Sequence, residues 1–591
     1  MEFGGPGRIS DCPAAVARRF PGREAAVLGE VRLSYAELAR EVDRCARGLL
    51  AAGIGKGDRV AMLSTPRPEY LVVLLATIRI GAIWTGLNPV HGLDEYRQVL
   101  EDCRPRLLFA FLHLRGRDNR ALLAELRRAC PFLEGLVAFD LTSTHPHPVP
   151  LPPSGRGDAV EAAGFGRPLA RAAGEGGGGG EGLTRLTPGT SDDDAGAVPY
   201  DDFLRAGESV GAESYAAAAA AVRPADIALL VHTSGSTGRP KGAMITHGNL
   251  VHCARVQLQL LPVAPLRALC NLPASHIGCS SDIVSYTLAG GGTLVFQERF
   301  DPAGALALIE RERVSWILQI PAMLQRMLAV PDRTRFDTSS LRVVLFEGAP
   351  MPPAMIAELQ GLGGTVHTTW GMTETTCSVT YTEAGDGIAV LAQTVGRPAG
   401  CEVRIAGADG RPLPAESDAA GEILVRGACV MAGYFERPAE TAAAIDEAGW
   451  LHTGDIGRFG ADGRLRFVGR IREMFKSGGY NVYPREIETV LESHPAAALA
   501  AVVAVPDPLY HEVGCAFVIR RPGGALDEAE IAAFCRARLA NYKVPKRFVV
   551  RDALPMLAIG KLDKAALRDE ALRLRGAAES LPADGARMEG S

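Results

Sequence analysis

A segment rich in glycine and hydroxyl residues, TSGSTGRPKG at Thr233–Gly242, directly follows the apolar run Ala228–Val231. Its glycines permit tight turns whose backbone N–H groups face phosphate oxygens, and its hydroxyls and lysine add donors and positive charge. The residues expected to line a phosphate are Thr233, Ser234, Gly235, Ser236, Thr237, Gly238 and Lys241. The segment therefore predicts a phosphate-binding loop, and the alternative is a flexible glycine loop with incidental hydroxyls.

Further segments carry residues suited to nucleotide chemistry. They read EGAP at 347–350, TWGMTE at 369–374, WLHTGD at 450–455, GRIRE at 469–473 and PMLAIGK at 555–561. Together with the glycine-rich loop, and in this order, they resemble the motifs of the adenylate-forming superfamily, which includes acyl-CoA synthetases, 4-coumarate ligases, luciferases and peptide-synthetase adenylation domains. The resemblance runs from about Tyr35 to Arg568. No Walker A pattern fits the loop, which argues against a kinase or GTPase.

The resemblance implies a role for each matching residue. ATP would be bound by the loop, by Thr369 and the adenine-stacking Trp370, by the adenine-lining Gly348, Ala349 and Pro350, and by the ribose-contacting Asp455 and Arg470. Thr373 and Glu374 would act in catalysis, and Glu374 would hold Mg²⁺. Lys561 matches the terminal catalytic lysine, and Arg472 occupies the hinge, where relatives carry Asp or Lys.

These assignments agree with the chemistry of acid activation. A carboxylate is a poor nucleophile toward a triphosphate, so attack on the α-phosphorus needs positive charge and rigid donors. Lys561, Lys241, the loop amides and Mg²⁺ at Glu374 would supply them. The alternatives are a solvated surface acid for Glu374, an ordinary loop lysine for Lys561 and a turn residue for Asp455.

Two residues, Gly371 and His276, indicate which kind of carboxylic acid is the substrate. Acetyl-CoA synthetases resemble this motif but have a second tryptophan that fills the acyl pocket, whereas Trp370 is followed here by Gly371. We therefore expect an open pocket for a medium- or long-chain fatty acid or an aryl acid. His276 stands where amino-acid-activating relatives carry an aspartate, so it is a candidate for the acyl pocket and for catalysis. The alternative is a core histidine bonded to backbone.

The segment KSGGYNVYPREIE at 476–488 and NYKVPK at 541–546 resemble the acyl-CoA synthetase form of the C-terminal motifs. In that family this domain swings about the hinge after adenylation and forms the pantetheine tunnel. Lys476, Gly478 and Gly479 are therefore expected to bind CoA, and a bulge at the glycine pair is the alternative.

The elements that must position these residues follow an α/β pattern. A helical run begins at Tyr35, and short apolar strands follow at 59–63, 106–110, 227–233, 292–296, 315–319 and 342–346. Helices alternating with apolar strands predict layered, largely parallel sheets. Strands at 498–505, 512–519 and 548–550 and a helix from Asp527 to about Leu539 predict a small α+β domain. We expect an N-terminal AMP-binding domain at 1–470, a mobile C-terminal domain at 471–575 and a flexible tail at 576–591.

Composition narrows the class of protein. Residues 142–197 are rich in Pro and Gly, which predicts a disordered surface insertion. Lys and Arg number 63 against 68 Asp and Glu, and no basic run occurs, so no nucleic-acid partner is expected. The 12 scattered cysteines and the lack of a signal or transmembrane segment predict a cytoplasmic protein.

The sequence therefore predicts an ATP-dependent acyl-CoA ligase that uses ATP, Mg²⁺ and CoA and proceeds through an acyl-adenylate. The alternatives are a ligase that loads an acyl group onto a carrier protein and a binding paralogue without catalysis. The sequence leaves the particular acid and the oligomeric state open.

Overall fold

The computed structural model describes residues 7–139, 196–234, 240–414, 417, 419–521, 526–556 and 562–579, with the side chains of Ser234 and of 576–579 left out. Nearly all of the predicted insertion, residues 235–238 of the glycine-rich loop and Lys561 lie outside the described residues. The predictions for them stay predictions.

Two large sheets contain most of the strands. Within the described residues, one has nine strands in the order Arg397–Pro398, Ser378–Tyr381, Thr365–Gly371, Val343–Phe346, Trp316–Gln319, Arg267–Cys270, Thr293–Phe296, Glu24–Leu28 and Val31–Ser34. The other has seven, in the order Pro240–Thr246, Ile227–Ser234, Ile83–Leu87, Arg59–Leu63, Leu107–Phe111, Gly135–Phe139 and Val198–Pro199. Both are mainly parallel inside and antiparallel at an edge, as the alternation of helices and apolar strands predicts.

Helices cover the sheets and bury their apolar faces. Their bounds are Cys12–Arg19, Tyr35–Ala51, Pro68–Arg79, Leu93–Cys103, Arg120–Ala129, Tyr200–Ala206, Ala212–Ala220, His247–Leu260, Tyr286–Ala289, Pro302–Arg311, Pro321–Leu328, Pro353–Gln360, Ile388–Gln393 and Pro438–Ala444. The helix at Tyr35 begins with a capping box between Ser34 and Glu37, which satisfies backbone N–H groups that have no partner within the helix. A π-helix, Gly278–Ser285, follows His276 and is buried along its whole length.

A four-stranded antiparallel sheet, counted over the described residues, follows the nine-stranded sheet along the chain. Its strands are Glu402–Ala406, Gly421–Arg426, Leu451–Phe459 and Leu465–Arg470. Asp455 and Arg470 pair directly across its last two strands. The sheet therefore brings two residues that are distant in sequence to one place.

The C-terminal part forms its own sheet from Tyr480–Val482, Phe475–Ser477, His511–Arg520, Ala497–Asp507 and Arg547–Arg551. Helices Pro484–Glu492, Glu528–Arg536 and Lys564–Glu579 pack against it. The structure thus contains the strands and the helix that were predicted for the small α+β domain. The last helix runs to Glu579, so the first residues of the predicted flexible tail are helical, and the helix predicted to reach Leu539 ends at Arg536.

Among the described residues, no helix is both long and apolar enough to cross a membrane.

Candidate active site

Trp370, Asp455 and Arg470 meet where the nine-stranded and four-stranded sheets adjoin. The Trp370 indole Nε1 donates a hydrogen bond of 2.9 Å to Asp455 Oδ2, and Arg470 Nε lies 3.2 Å from Asp455 Oδ1. The carboxyl and the indole are both buried. The structure therefore brings together the residues that the sequence assigned separately to adenine and to ribose.

The carboxyl of Asp455 is held in a low-dielectric setting. Burial raises its pKa above the usual value, while Arg470 and the Trp370 indole oppose that rise. Both of its oxygens face protein donors. Each oxygen keeps a second lone pair that can accept a hydrogen bond from a bound hydroxyl.

Glu374 lies in the short turn Thr373–Thr375, directly after the strand that carries Trp370. Its side chain is buried, and the hydroxyl of Tyr434 donates a hydrogen bond of 2.8 Å to its Oε1. Burial raises the pKa of Glu374, and the Tyr434 hydrogen bond partly opposes this rise. Thr373 begins the turn and is half-buried.

Tyr434 also connects Glu374 to the glycine-rich segment, because the Lys241 ammonium lies 5.3 Å from the centre of the Tyr434 ring. The backbone at Tyr434 forms an antiparallel bridge with Ala243. The sequence analysis missed this tyrosine, and nothing in its local pattern distinguishes it from other half-buried tyrosines.

The described ends of the glycine-rich segment lie on two paired strands, which we call the hairpin stem. Strands Ile227–Ser234 and Pro240–Thr246 pair antiparallel, and Thr233 lies opposite Lys241. The described ends of the segment thus place one hydroxyl and one ammonium side by side, next to Tyr434.

A second polar network lies beside Gly348, Ala349 and Pro350. The Ser378 hydroxyl donates a hydrogen bond of 3.0 Å to Glu347 Oε2 and shares one of 2.9 Å with the Thr369 hydroxyl. The Ser378 N–H donates to Asp282 Oδ1 at 3.2 Å. Asp282 is fully buried, and burial together with the charge of Glu347 raises its pKa. Sequence reasoning missed Glu347, Ser378 and Asp282, because this network depends on three strand ends and a π-helix meeting.

His276 faces the same network. Its Nδ1 accepts a hydrogen bond of 3.1 Å from the N–H of Gly278, which fixes the ring at the start of the π-helix. A side chain built at Gly278 would place its Cβ 3.1 Å from Glu347 Oε1 and 3.2 Å from His276 Nδ1. Gly278 therefore leaves room for the imidazole and the carboxylate to approach each other.

Gly371 has a packing role that the sequence analysis did not foresee. A Cβ at this position would lie 2.3 Å from the backbone carbonyl oxygen of Cys377 and 2.7 Å from the Cα of Ser378. A side chain at position 371 would point at the neighbouring strand. The glycine is therefore needed for strand packing, whether or not it also leaves an acyl pocket open. The place of Gly371 in an acyl pocket stays a prediction.

The predicted hinge and CoA residues lie together at the start of the C-terminal sheet. Arg472 is exposed in the turn Ile471–Glu473, and Lys476 is exposed on the next strand. Gly478 and Gly479 have φ values of 57° and 87°, in the left-handed region that glycine adopts without strain. They form the turn between strands Phe475–Ser477 and Tyr480–Val482.

The carboxylate of Glu374 suits a Mg²⁺ ion that is bound mainly by the phosphates of a substrate. In the part of the chain that the structure describes, no three His, Cys, Asp or Glu side chains are grouped to hold a metal. Mg²⁺ commonly binds through one or two carboxylates together with the phosphates of a nucleotide. A single buried carboxylate at Glu374, near the hairpin, fits that mode.

Residues 14–435 match the AMP-binding enzyme family, and residues 486–561 match the AMP-binding enzyme C-terminal domain. The chain is 34% identical over 562 residues to a feruloyl-CoA synthase from an Amycolatopsis species, covering 95% of this chain and 98% of that protein. It is 30% identical over 561 residues to a medium/long-chain-fatty-acid–CoA ligase from Mycobacterium tuberculosis, covering 93% and 88%. The ATP-bound structure of MatB from Rhodopseudomonas palustris has a TM-score of 0.74 at 25% identity, covering 96% and 99%.

Proposed function

Because this chain belongs to the AMP-binding enzyme family and is an acyl-CoA ligase that uses ATP and CoA, we propose that Trp370, Glu374 and Asp455 mark the place where it joins a carboxylic acid to AMP. The observation that carries the proposal is two sets of contacts that start from one short segment, 370–374. One runs from Glu374 through Tyr434 to Lys241, and the other joins Trp370 to Asp455 and Arg470.

In this proposal the nucleotide binds beside both sets of contacts. The Trp370 ring stacks on adenine, Gly348 to Pro350 line it, and Asp455 with Arg470 holds the ribose. The hairpin donors from Thr233 to Lys241 bind the phosphates. Backbone donors at such a hairpin need little reorganisation, so they stabilise negative charge as it develops.

The first step is attack of the acid's carboxylate oxygen on the α-phosphorus, with pyrophosphate as the leaving group. Mg²⁺, held by Glu374, would neutralise phosphate charge when bound. Lys241 adds positive charge at the hairpin, and we assign to Lys561 the ammonium that bridges the carboxylate and the α-phosphate. His276 and Thr373 would orient the acid and the phosphates.

The second step is attack of the CoA thiol on the acyl-adenylate. We propose that residues 471–575 form a mobile domain that turns about Arg472 between the two steps, and that Lys476, Gly478 and Gly479 then line the path of the pantetheine. A turn of two glycines with positive φ lets backbone come close to a ligand. We also propose that the enzyme acts in the cytoplasm, since its 12 cysteines are free thiols, the state typical of a reducing compartment.

For the acid, we propose an aryl acid with a hydrogen-bonding substituent. The predicted acyl pocket at His276 lies beside Glu347, whose carboxylate and the imidazole both approach Gly278. A ring hydroxyl can donate a hydrogen bond to such a carboxylate, whereas an alkyl tail cannot. The more similar of the two relatives described above is a feruloyl-CoA synthase. A medium- or long-chain fatty acid is the second candidate, because the other relative is a fatty-acid–CoA ligase.

A panel of acids with ATP, Mg²⁺ and CoA tests this proposal. It should include hydroxylated and unsubstituted cinnamates and benzoates, and fatty acids from acetate to long chains. We expect kcat/KM to be highest for a ring that carries a hydroxyl, by roughly tenfold or more over its unsubstituted analogue. Higher kcat/KM for fatty acids would assign the second candidate, and equal values for both rings would exclude recognition of the substituent.

A further inference from the structure

A buried histidine and a buried aspartate lie directly beneath the glycine-rich hairpin. His232 Nε2 is 3.3 Å from Asp102 Oδ2, and their side chains are 8% and 6% exposed. Asp102 Oδ1 in turn accepts a hydrogen bond of 2.8 Å from Arg437 Nη2. The three residues come from a strand, a helix and the loop before helix Pro438–Ala444, so the contact joins three elements.

The position of His232 connects this group to the hairpin. His232 immediately precedes Thr233, and side chains of successive strand residues point to opposite faces. Thr233 and its partner Lys241 therefore occupy one face, while His232 and its partner Gly242 occupy the other. Because the two residues are adjacent in one strand, a contact that holds the imidazole restrains the backbone that carries Thr233.

Gly242 makes the contact sterically possible. A Cβ at this position would lie 3.3 Å from His232 Nε2, closer than most real Cβ contacts, and 3.4 Å from Asp102 Oδ2. The last glycine of TSGSTGRPKG thus leaves room for an imidazole and a carboxylate below the hairpin.

The two neighbours of Asp102 change the pKa of its carboxyl group. Burial would raise the pKa of Asp102, but His232 and Arg437 lower it by more, so it lies below its usual value. Nε2 of His232 and Oδ2 of Asp102 have no aligned hydrogen bond within the described residues, and the second nitrogen of His232 lies 3.4 Å from the Thr85 hydroxyl. A small movement of the hairpin stem would align the pair, and aligning two buried polar groups lowers the free energy of that position.

We propose that His232 and Asp102, anchored by Arg437, are positioning residues for ATP, and that their contact fixes the hairpin stem in the position that binds the triphosphate. The inference rests on the proposed ATP role of Thr233 and Lys241. The histidine touches neither nucleotide nor acid in this account. Its effect is transmitted through the strand to the phosphate-binding face.

The test measures the dissociation constant for ATP with Mg²⁺ by calorimetry, without acid, in His232→Asn, His232→Gln and Asp102→Asn. Glutamine keeps a donor near the place of Nε2, whereas asparagine is too short to reach Asp102. We expect about tenfold weaker ATP binding in His232→Asn and Asp102→Asn, and a loss of less than about threefold in His232→Gln. The matched control is His494→Asn, since His494 is also buried and lies 3.5 Å from Glu530 in the C-terminal part.

A second measurement separates positioning from general damage. Thioester formation from synthetic acyl-AMP and CoA needs no triphosphate, so its rate should be unchanged in all variants. Unchanged ATP affinity in folded His232→Asn or Asp102→Asn, equal losses with glutamine and asparagine, or equal losses in both reactions would overturn the inference. Failure of the wild-type protein to bind ATP would instead refute the proposed function. If His232→Asn does not fold, Asp102→Asn carries the test.

Discussion

At the scale of single residues, the structure brings Trp370 and Asp455 together and adds partners that the sequence could not predict. Trp370 and Asp455 are 85 positions apart, yet they share a hydrogen bond. Their roles followed from motifs, but their contact depends on two sheets meeting. The role of Tyr434 was not predicted, because a hydrogen bond to a distant carboxyl leaves no local pattern, and the EGAP motif that contains Glu347 does not show that this carboxylate meets Ser378.

Gly371 gives the first residue-scale prediction. Because an added Cβ would meet the Cys377 carbonyl oxygen at 2.3 Å, Gly371→Ala should destabilise the fold by roughly 1–3 kcal/mol through a forced backbone shift. Thermal unfolding would measure this against Gly22→Ala, where a Cβ meets nothing within 4 Å. Equal midpoints in the two variants would contradict the close packing. Gly371→Trp is for the same reason a poor probe of the acyl pocket.

The buried His247 gives a prediction about pH. Burial, followed by the charge of Arg8, lowers the pKa of His247 from 6.5 to about 4. Between these values the unfolded chain binds a proton that the folded chain does not, so stability rises with pH. The thermal unfolding temperature of the wild-type protein should therefore decrease as the pH is lowered from 7 to 5. In His247→Leu this decrease should be smaller. An identical pH dependence in both proteins would show that the histidine is protonated when folded.

At the scale of elements, apolar periodicity predicted nine strands to within two residues of their ends, whereas strands such as Ile83–Leu87 and those of the four-stranded sheet were not predicted. The strand at 59–63 was predicted as observed, and the strand predicted at 498–505 extends over Ala497–Asp507. The π-helix Gly278–Ser285 and the antiparallel edges were not predicted, because apolar patterns specify burial and not the partner strand. Where these elements meet, His276 and Glu347 both approach Gly278.

A partly buried group of three charges joins the C-terminal elements. Lys564 Nζ lies 2.6 Å from Glu473 Oε2 and 2.9 Å from Glu488 Oε1, joining the last helix to the turn after Arg470. Lys564→Met should cost about 1–3 kcal/mol, since Glu473 loses its cation while the buried Glu488 keeps only Arg485, at 3.4 Å. The control is Asp337→Asn, whose exposed pair with Arg313 should matter little. A midpoint for Lys564→Met no lower than the control's would contradict this account.

At the scale of the whole molecule, we expect two parts of the chain to serve two reactions in sequence. The sequence predicts this division from motifs on either side of Arg470, and the C-terminal part forms a sheet of its own. Motifs do not specify how one part moves against the other, because they carry no information on relative placement.

Lys561 provides the whole-molecule prediction. An ammonium between the carboxylate and the α-phosphate stabilises the adenylation transition state, and it is not needed when the thiol attacks the acyl-adenylate. Lys561→Ala should slow adenylation by about 10²–10⁴-fold and leave thioester formation from synthetic acyl-AMP nearly unchanged. Equal losses in both assays would contradict the alternation of the C-terminal part. An undiminished first step would remove Lys561 from catalysis.

The central claim is that the acid is activated as an acyl-adenylate, and isotope transfer tests it most directly. The enzyme would be given an acid labelled with ¹⁸O in its carboxyl group, together with ATP, Mg²⁺ and CoA, and the phosphorus products would be analysed by mass spectrometry. Attack of a carboxylate oxygen on the α-phosphorus leaves that oxygen on AMP when the thioester forms. The account predicts one ¹⁸O in each AMP and none in pyrophosphate. Label in inorganic phosphate with formation of ADP, or thioester formation with unlabelled AMP, would contradict it.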